Sequence, residues 1–171
     1  MYKETYRSLL EQATLGQVEQ AATWYLDAEK IANKVADNLD TTLEVGASIV
    51  SSFSPRERWS TNVEKAIAFS LGKEVRGLGN NLRMANNSVE LGFDALKGLK
   101  TNAFARAIAG DANAVVIDVW MCRAAGVEFT SPSQREYHAM ATAVTQLAKE
   151  HGLTPRVCQA IIWIVARGAA Y

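Results

Sequence analysis

Leu96-Lys97-Gly98-Leu99-Lys100-Thr101-Asn102-Ala103-Phe104, followed by Val116-Ile117-Asp118-Val119-Trp120 and then Arg123, organises this chain. A glycine-centred hairpin at 96–100 opens a helix that carries Thr101, Phe104, Ala105 and Ile108 on one face, at helical steps of three and four. A short link then leads to an apolar run that ends in Asp118, at the start of another helix. The hairpin presents backbone amides at a helix N-terminus, which suits a phosphate oxygen. Lys100 lies in the first turn, and Asp118 sits between Ile117 and Val119 in an apolar setting. On local grounds the same residues are also accounted for by a solvated Lys100 and by Asp118 as an N-cap, a role that stabilises a helix by ~1 kcal/mol.

Outward from this stretch the pattern is helical. Trp24, Ala28, Ile31, Val35 and Leu39 predict a helix over roughly 18–39. Val45, Ile49, Val50 and Phe53 mark the next, and Trp59, Val63, Ile67 and Leu71 the one after. Tyr137, Met140, Val144 and Leu147 mark a long helix near 133–150, and Val157, Ile161, Ile164 and Val165 the last. Thr41 with Glu44, Ser54 with Glu57, and Ser131 with Gln134 have capping-box spacing. Ser54-Pro55, Ser131-Pro132 and Thr154-Pro155 read as helix openings, because proline at the first helical position loses no hydrogen bond. Gly16, Gly72, Gly92, Gly126 and Gly152 fall where helix stops are expected. Val115-Val116-Ile117 is too isolated to build a sheet. An all-α chain of about eight or nine helices follows.

With 171 residues, 49% of them apolar, the chain is long enough to bury a core and too apolar to be disordered. No apolar run approaches the ~18 residues of a membrane span, and no apolar signal core follows Met1, so a cytoplasmic protein is expected. Cys122 and Cys158 lack metal or redox spacing and read as buried free thiols. His138 and His151 have no partners at ligand spacing, so no metal is expected. The 18 basic and 18 acidic residues cancel, which argues against strong non-specific nucleic-acid binding. The cancellation is uneven, however. Residues 1–50 carry 4 basic and 8 acidic side chains, whereas residues 51–106 carry 9 basic and 5 acidic. A localised phosphate-facing surface is therefore expected in the middle of the chain.

The order Leu96, Gly98, Lys100, Thr101, then Asp118 after an apolar run, then Arg123, resembles the helix-hairpin-helix (HhH-GPD) DNA glycosylase superfamily, particularly its endonuclease III-like branch. Ile49-Val50-Ser51-Ser52-Phe53-Ser54-Pro55-Arg56, with Asn62 and Ala66 beyond it, is similar to the family's helix-turn-helix, where a polar residue wedges into the space left by a flipped base. The whole chain also resembles small phage-encoded members of this group, with Trp24-Tyr25, Trp59 and Gln159-Ala160-Ile161-Ile162-Trp163 as shared landmarks. Two departures stand out. The hairpin lacks the family's second glycine and is shorter, and no four-cysteine iron–sulfur signature follows residue 125.

The resemblance implies a two-lobed helical DNA-glycosylase-like fold with a shortened helix-hairpin-helix, forming a single compact unit over 1–171. Residues 40–110 would form a central lobe, and 1–39 plus 111–171 a second one. It implies cleavage of the N-glycosidic bond of a damaged or modified base. Asp118 would stabilise the oxocarbenium ion and Lys100 would be a Schiff-base nucleophile, which adds lyase activity at abasic sites. Arg56 would be the wedge, and Arg58, Lys97, Gly98 and Thr101 would meet the DNA backbone. No cofactor, metal or iron–sulfur cluster is implied. Two further classes stay open at this point: a catalytically silent relative that binds DNA or a protein partner, and a helical accessory protein in which Lys100 and Asp118 are structural. A phage origin would place the protein in the cytoplasm of a bacterial host.

Overall fold

A computed structural model describes residues 1–168 of the chain. The fold is all-α: among the described residues there are nine α-helices, one 3-10 turn and no strand. The helices are α1 (Tyr2–Glu11), α2 (Leu15–Asn38), α3 (Leu43–Ser52), α4 (Trp59–Ser70), α5 (Gly79–Leu91), α6 (Leu99–Ile108), α7 (Val119–Ala124), α8 (Gln134–Glu150) and α9 (Pro155–Arg167), with the 3-10 turn at Gly92–Ala95. None is long and apolar enough to cross a membrane.

The chain divides into two compact units. Among the described residues the terminal unit comprises 1–25 and 111–168, and the central unit comprises 26–110. The change of unit falls inside α2, so residues 26–39 lie with the central unit and not with the terminal one, where the lobe boundaries expected from the resemblance would put them. The reassignment matters for charge. The central unit holds 11 basic and 10 acidic residues, so any positive face must be local to its second half.

α3 is the axis of the central unit, with α4, α5, α6 and the 3-10 turn packed on it. Every residue from Val45 to Ser52 is buried, so the helix is enclosed on all sides and shows no amphipathic face. Its composition explains how. Gly46, Ala47, Ser48, Ser51 and Ser52 are small, and their neighbours can close in. Ser48 and Ser52 donate to the carbonyls of Glu44 and Ser48, each at 2.8 Å, and the Ser52 hydroxyl also meets that of Ser88 on α5 at 3.3 Å. At Gly46 the approach is closest: a Cβ there would lie 2.1 Å from the Ala32 carbonyl oxygen on α2.

In the terminal unit α1, α7, α8 and α9 pack together. The Tyr6 hydroxyl on α1, fully buried, donates to the Met121 carbonyl on α7 at 3.0 Å. Lys3 and Arg7 reach Glu150 near the end of α8 at 2.8 and 2.5 Å, which holds that carboxyl below the ordinary range.

Several expected helix ends shift, each for a local reason. α3 is capped by Thr42, whose hydroxyl accepts from the Val45 amide, which leaves Glu44 to take the Phe93 amide at 3.2 Å. α8 is capped by Ser133 in a capping box with Glu136, two residues beyond the expected Ser131 and Gln134. Ser54-Pro55 opens no helix: residues 54–58 form a turn closed by the Glu57 amide on the Ser54 carbonyl, and α4 starts at Trp59. Gly16 stops nothing, since it lies in the first turn of α2, where Thr14 and Gln17 exchange side-chain-to-amide bonds. Thr154-Pro155 caps and opens α9 as the sequence predicts.

The close crossing at Gly46 is directly testable. Gly46→Ala is expected to lower stability in urea by about 1–3 kcal/mol, because overpacking against a backbone outweighs the better helix propensity of alanine. Gly16→Ala, where a methyl meets nothing within 4 Å, is expected to leave stability unchanged or to raise it by up to ~1 kcal/mol. An unchanged unfolding midpoint for Gly46→Ala would show that α2 and α3 do not approach so closely.

Candidate functional site

The hairpin region of the central unit is held by a residue the sequence did not flag. Asn102, in the opening turns of α6, donates its amide to the carbonyls of Phe93 and Leu96 at 3.1 and 3.2 Å. Its own oxygen accepts from Arg106 Nε at 2.8 Å, and the Arg106 guanidinium lies 4.6 Å from the Phe93 ring centroid. The connector from the 3-10 turn to α6 is thus clamped from the side, and a second glycine is not what shapes it. Gly98 is the N-cap of α6 at φ −73, and Thr101 Oγ1 donates back to its carbonyl at 3.2 Å. Lys97 and Gly98 are exposed, Lys100 half-buried and Thr101 buried.

The 54–58 turn is tied to the same end of α6. Ser51 donates to the Thr101 carbonyl at 2.6 Å, and the Trp59 and Phe104 rings meet edge-on at 6.2 Å. Asn81 fixes the turn itself through the Pro55 carbonyl at 3.0 Å. Arg56 and Arg58 are exposed there, and Arg56 adopts φ +61, a left-handed conformation that side chains other than glycine rarely take. The structure therefore groups Arg56, Arg58, Lys97, Gly98, Lys100 and Thr101 in one unit. Asp118 belongs to the other.

Asp118 is the N-cap of α7. One carboxylate oxygen accepts the amides of Trp120 and Met121 at 3.0 and 2.9 Å, and the other accepts the Trp163 indole N–H from α9 at 2.8 Å. The connector before it, Ala114–Ile117, is buried without secondary structure. Tyr137 on α8 supports it: its hydroxyl donates to the Val115 carbonyl at 2.9 Å and accepts from the Ile117 amide at 3.2 Å. Burial pushes the Tyr137 phenol up to about 12, with the Asp118 charge adding to it and the bond from Ile117 opposing. Burial raises Tyr25 as well, again with Asp118 contributing. The Tyr25 hydroxyl meets Gln159 at 3.0 Å, and Trp24 stands 6.2 Å from Trp163. The capping role of Asp118 is thus realised, and the carboxylate is also locked in orientation by a side chain 45 residues away. Trp163 and Tyr137 could have been suspected from sequence only as polar-tipped aromatics on apolar helix faces, which need a partner when buried.

A family model matches residues 2–170, nearly the whole chain, under the description "Family of unknown function (DUF7178)". The chain belongs to DUF7178. No curated protein and no solved structure matches it. In this DUF7178 member both thiols are buried, and burial pushes Cys158 up to about 12 and raises Cys122, the latter with help from Asp118. Among the described residues no group of three His, Cys, Asp or Glu is arranged to hold a metal ion.

Two outcomes follow for this DUF7178 chain. Neither thiol should react with a disulfide reagent in the native state, and both should react on unfolding; rapid native labelling would contradict the burial. A double-mutant cycle of Asp118→Ala with Trp163→Phe should give a coupling energy of about 1–3 kcal/mol, as for a hydrogen bond to a charged group. Strictly additive losses in urea unfolding would remove the Asp118–Trp163 bond.

Proposed function

We propose that this protein is a DNA glycosylase-like protein. It docks duplex DNA through the 54–58 turn and the opening of α6, and it cleaves the N-glycosidic bond of a damaged or modified base. The observation that carries this reading is Arg56, exposed and held at φ +61 in a turn bonded through Ser51 and Asn81 to its surroundings. A non-glycine residue in that conformation costs roughly 1–2 kcal/mol, and such strain persists where a surface is shaped for use. Its charge company supports the docking role: among the described residues Arg56, Arg58, Lys97 and Lys100 make no ion pair. Gly98, as a cap without a side chain, leaves room for a phosphate to approach the first turn of α6.

In this mechanism the base is extruded and its bond to C1′ breaks with oxocarbenium character at the sugar. Asp118, its orientation set by three N–H donors, supplies negative charge to that cation without reorganising. Water directed to C1′ then leaves an abasic site. If the Lys100 amine attacks C1′ instead, the base departs and a Schiff base forms, through which the strand is cut.

A second reading is a catalytically silent relative that binds DNA or a protein partner. It is favoured by the same three donors, which commit both Asp118 oxygens to structural hydrogen bonds.

Mass spectrometry of bases released from unmodified and hypermodified genomic DNA separates the two. The enzyme reading expects release by the wild type and a loss of at least ~100-fold in Asp118→Asn, the scale of a removed transition-state electrostatic contact. Unchanged release by the variant removes Asp118 from catalysis. Salt-sensitive duplex binding with no release from any DNA establishes the silent form. A borohydride-trapped adduct with abasic DNA that is lost in Lys100→Ala identifies the lyase. Arg56→Gly should raise stability by up to ~1 kcal/mol while weakening duplex binding; a stability gain with undiminished affinity would take Arg56 out of the interface.

A further inference from the structure

The terminal unit carries a feature that the proposed function does not use. Arg123 lies 4.6 Å from the Trp120 ring centroid, and Arg167 lies 6.0 Å from the same ring and 5.0 Å from that of Trp163. Trp163 continues to Trp24 at 6.2 Å, and Trp24 to Tyr25 at 4.9 Å, where the Arg156 guanidinium lies 5.5 Å from the phenol ring. The result is an unbroken run of guanidinium and aromatic planes linking α7, α9 and the first half of α2. Its tryptophans are half-buried, and its Arg123 end is exposed.

Charge decides what such a surface takes. Its exposed Arg123 end is cationic, and Asp118, which bonds Trp163 within the run, already accepts two backbone amides besides that indole. A cationic ligand of the kind held by aromatic cages would meet net repulsion here. An anion with flat faces fits better. A nucleobase stacks on a guanidinium plane as it does on an aromatic ring, and the N–H edges of the same arginine reach a phosphate. Arg123 is stacked on Trp120 in advance and is in no ion pair among the described residues, so little ordering is needed to use it. A duplex hides its base faces, and the ligand is accordingly single-stranded.

We infer that the Arg123–Trp120 end of this run is a stacking platform for single-stranded DNA, separate from the duplex-docking turns of the central unit. The inference does not depend on catalysis by Asp118. Fluorescence anisotropy with a labelled oligo-dT and the full chain tests it, together with an abasic oligonucleotide of equal length and the variants Arg123→Lys, Arg123→Ala and Arg58→Ala, each checked for unchanged circular dichroism and melting. The platform predicts salt-sensitive, saturable oligo-dT binding. Loss of base stacking should weaken it roughly tenfold in Arg123→Lys, in Arg123→Ala and with the abasic strand, while Arg58→Ala stays within about twofold of wild type. No binding up to ~100 µM, the weak end of non-specific affinity, overturns the inference. So does equal binding of the abasic strand, or full rescue by Arg123→Lys, because either would show charge without stacking. A loss in Arg58→Ala as large as in Arg123→Lys would assign the strand to the central unit, and overturns it as well. Failure of the duplex reading appears separately, as absent duplex binding alongside intact oligo-dT binding.

Discussion

The carboxylate of Asp118 is the interaction on which the terminal unit hangs. Its two oxygens join three elements: the amides that open α7, the indole of Trp163 on α9 and, through the chain just before it, the buried connector that Tyr137 supports from α8. A carboxylate in a half-buried place needs donors for its lone pairs, and these three N–H groups supply them. The consequence is orientation. The three donors, fixed on α7 and α9, hold both carboxylate oxygens in place. Burial, with the Asp118 charge contributing, keeps the surrounding phenols of Tyr25 and Tyr137 protonated.

A different constraint shapes the central unit. There the backbone of α3 is approached from several sides, and Gly46 marks the place where no side chain fits. Buried serines extend the same logic, because a hydroxyl returned to its own helix takes up less room than a branched apolar group. Ser48, Ser51, Ser52, Asn62, Ser70, Asn81, Ser88 and Thr101 are all buried in this unit, whereas among the described residues of the terminal unit Gln159 is the buried polar side chain. Packing in the central unit therefore depends on close fit more than on apolar bulk. The polar contacts from Ser51, Asn81 and Asn102 then set the 54–58 and 96–98 connections in place.

Much of the helical layout was legible in the residues. Periodicity located α2, α8 and α9 to within a few positions, because a stripe every 3.6 residues is what a helix with one buried side demands. It located α3 as well, through Val45, Ile49 and Val50, but not the burial of this helix on every side from Val45 to Ser52. The caps were harder. Thr41 and Thr42 stand side by side, as Ser131 and Ser133 nearly do, and each pair offers two registers of the same chemistry. Which hydroxyl is used depends on where the helix docks: Glu44 is drawn to the Phe93 amide, and Thr42 becomes the cap. Ser54-Pro55 misled for a related reason, since the same dipeptide that opens a helix also opens a turn, and here the chain bends through Arg56 before α4 begins.

By itself the sequence determined the all-α class, most of the helices, the buried thiols and the uneven distribution of charge, all of which depend on composition and on neighbours a few residues apart. Only the tertiary structure decided which distant groups meet. Asn102 became the clamp of the hairpin connector, the change of unit fell within α2, and the arginines of α7 and α9 came to stack on Trp120. The bond from Trp163 to Asp118 spans 45 residues, and no local period encodes it. It exists because α9 packs on α7 in one register, and a hydrogen bond a few tenths of an ångström in tolerance is set by that packing alone.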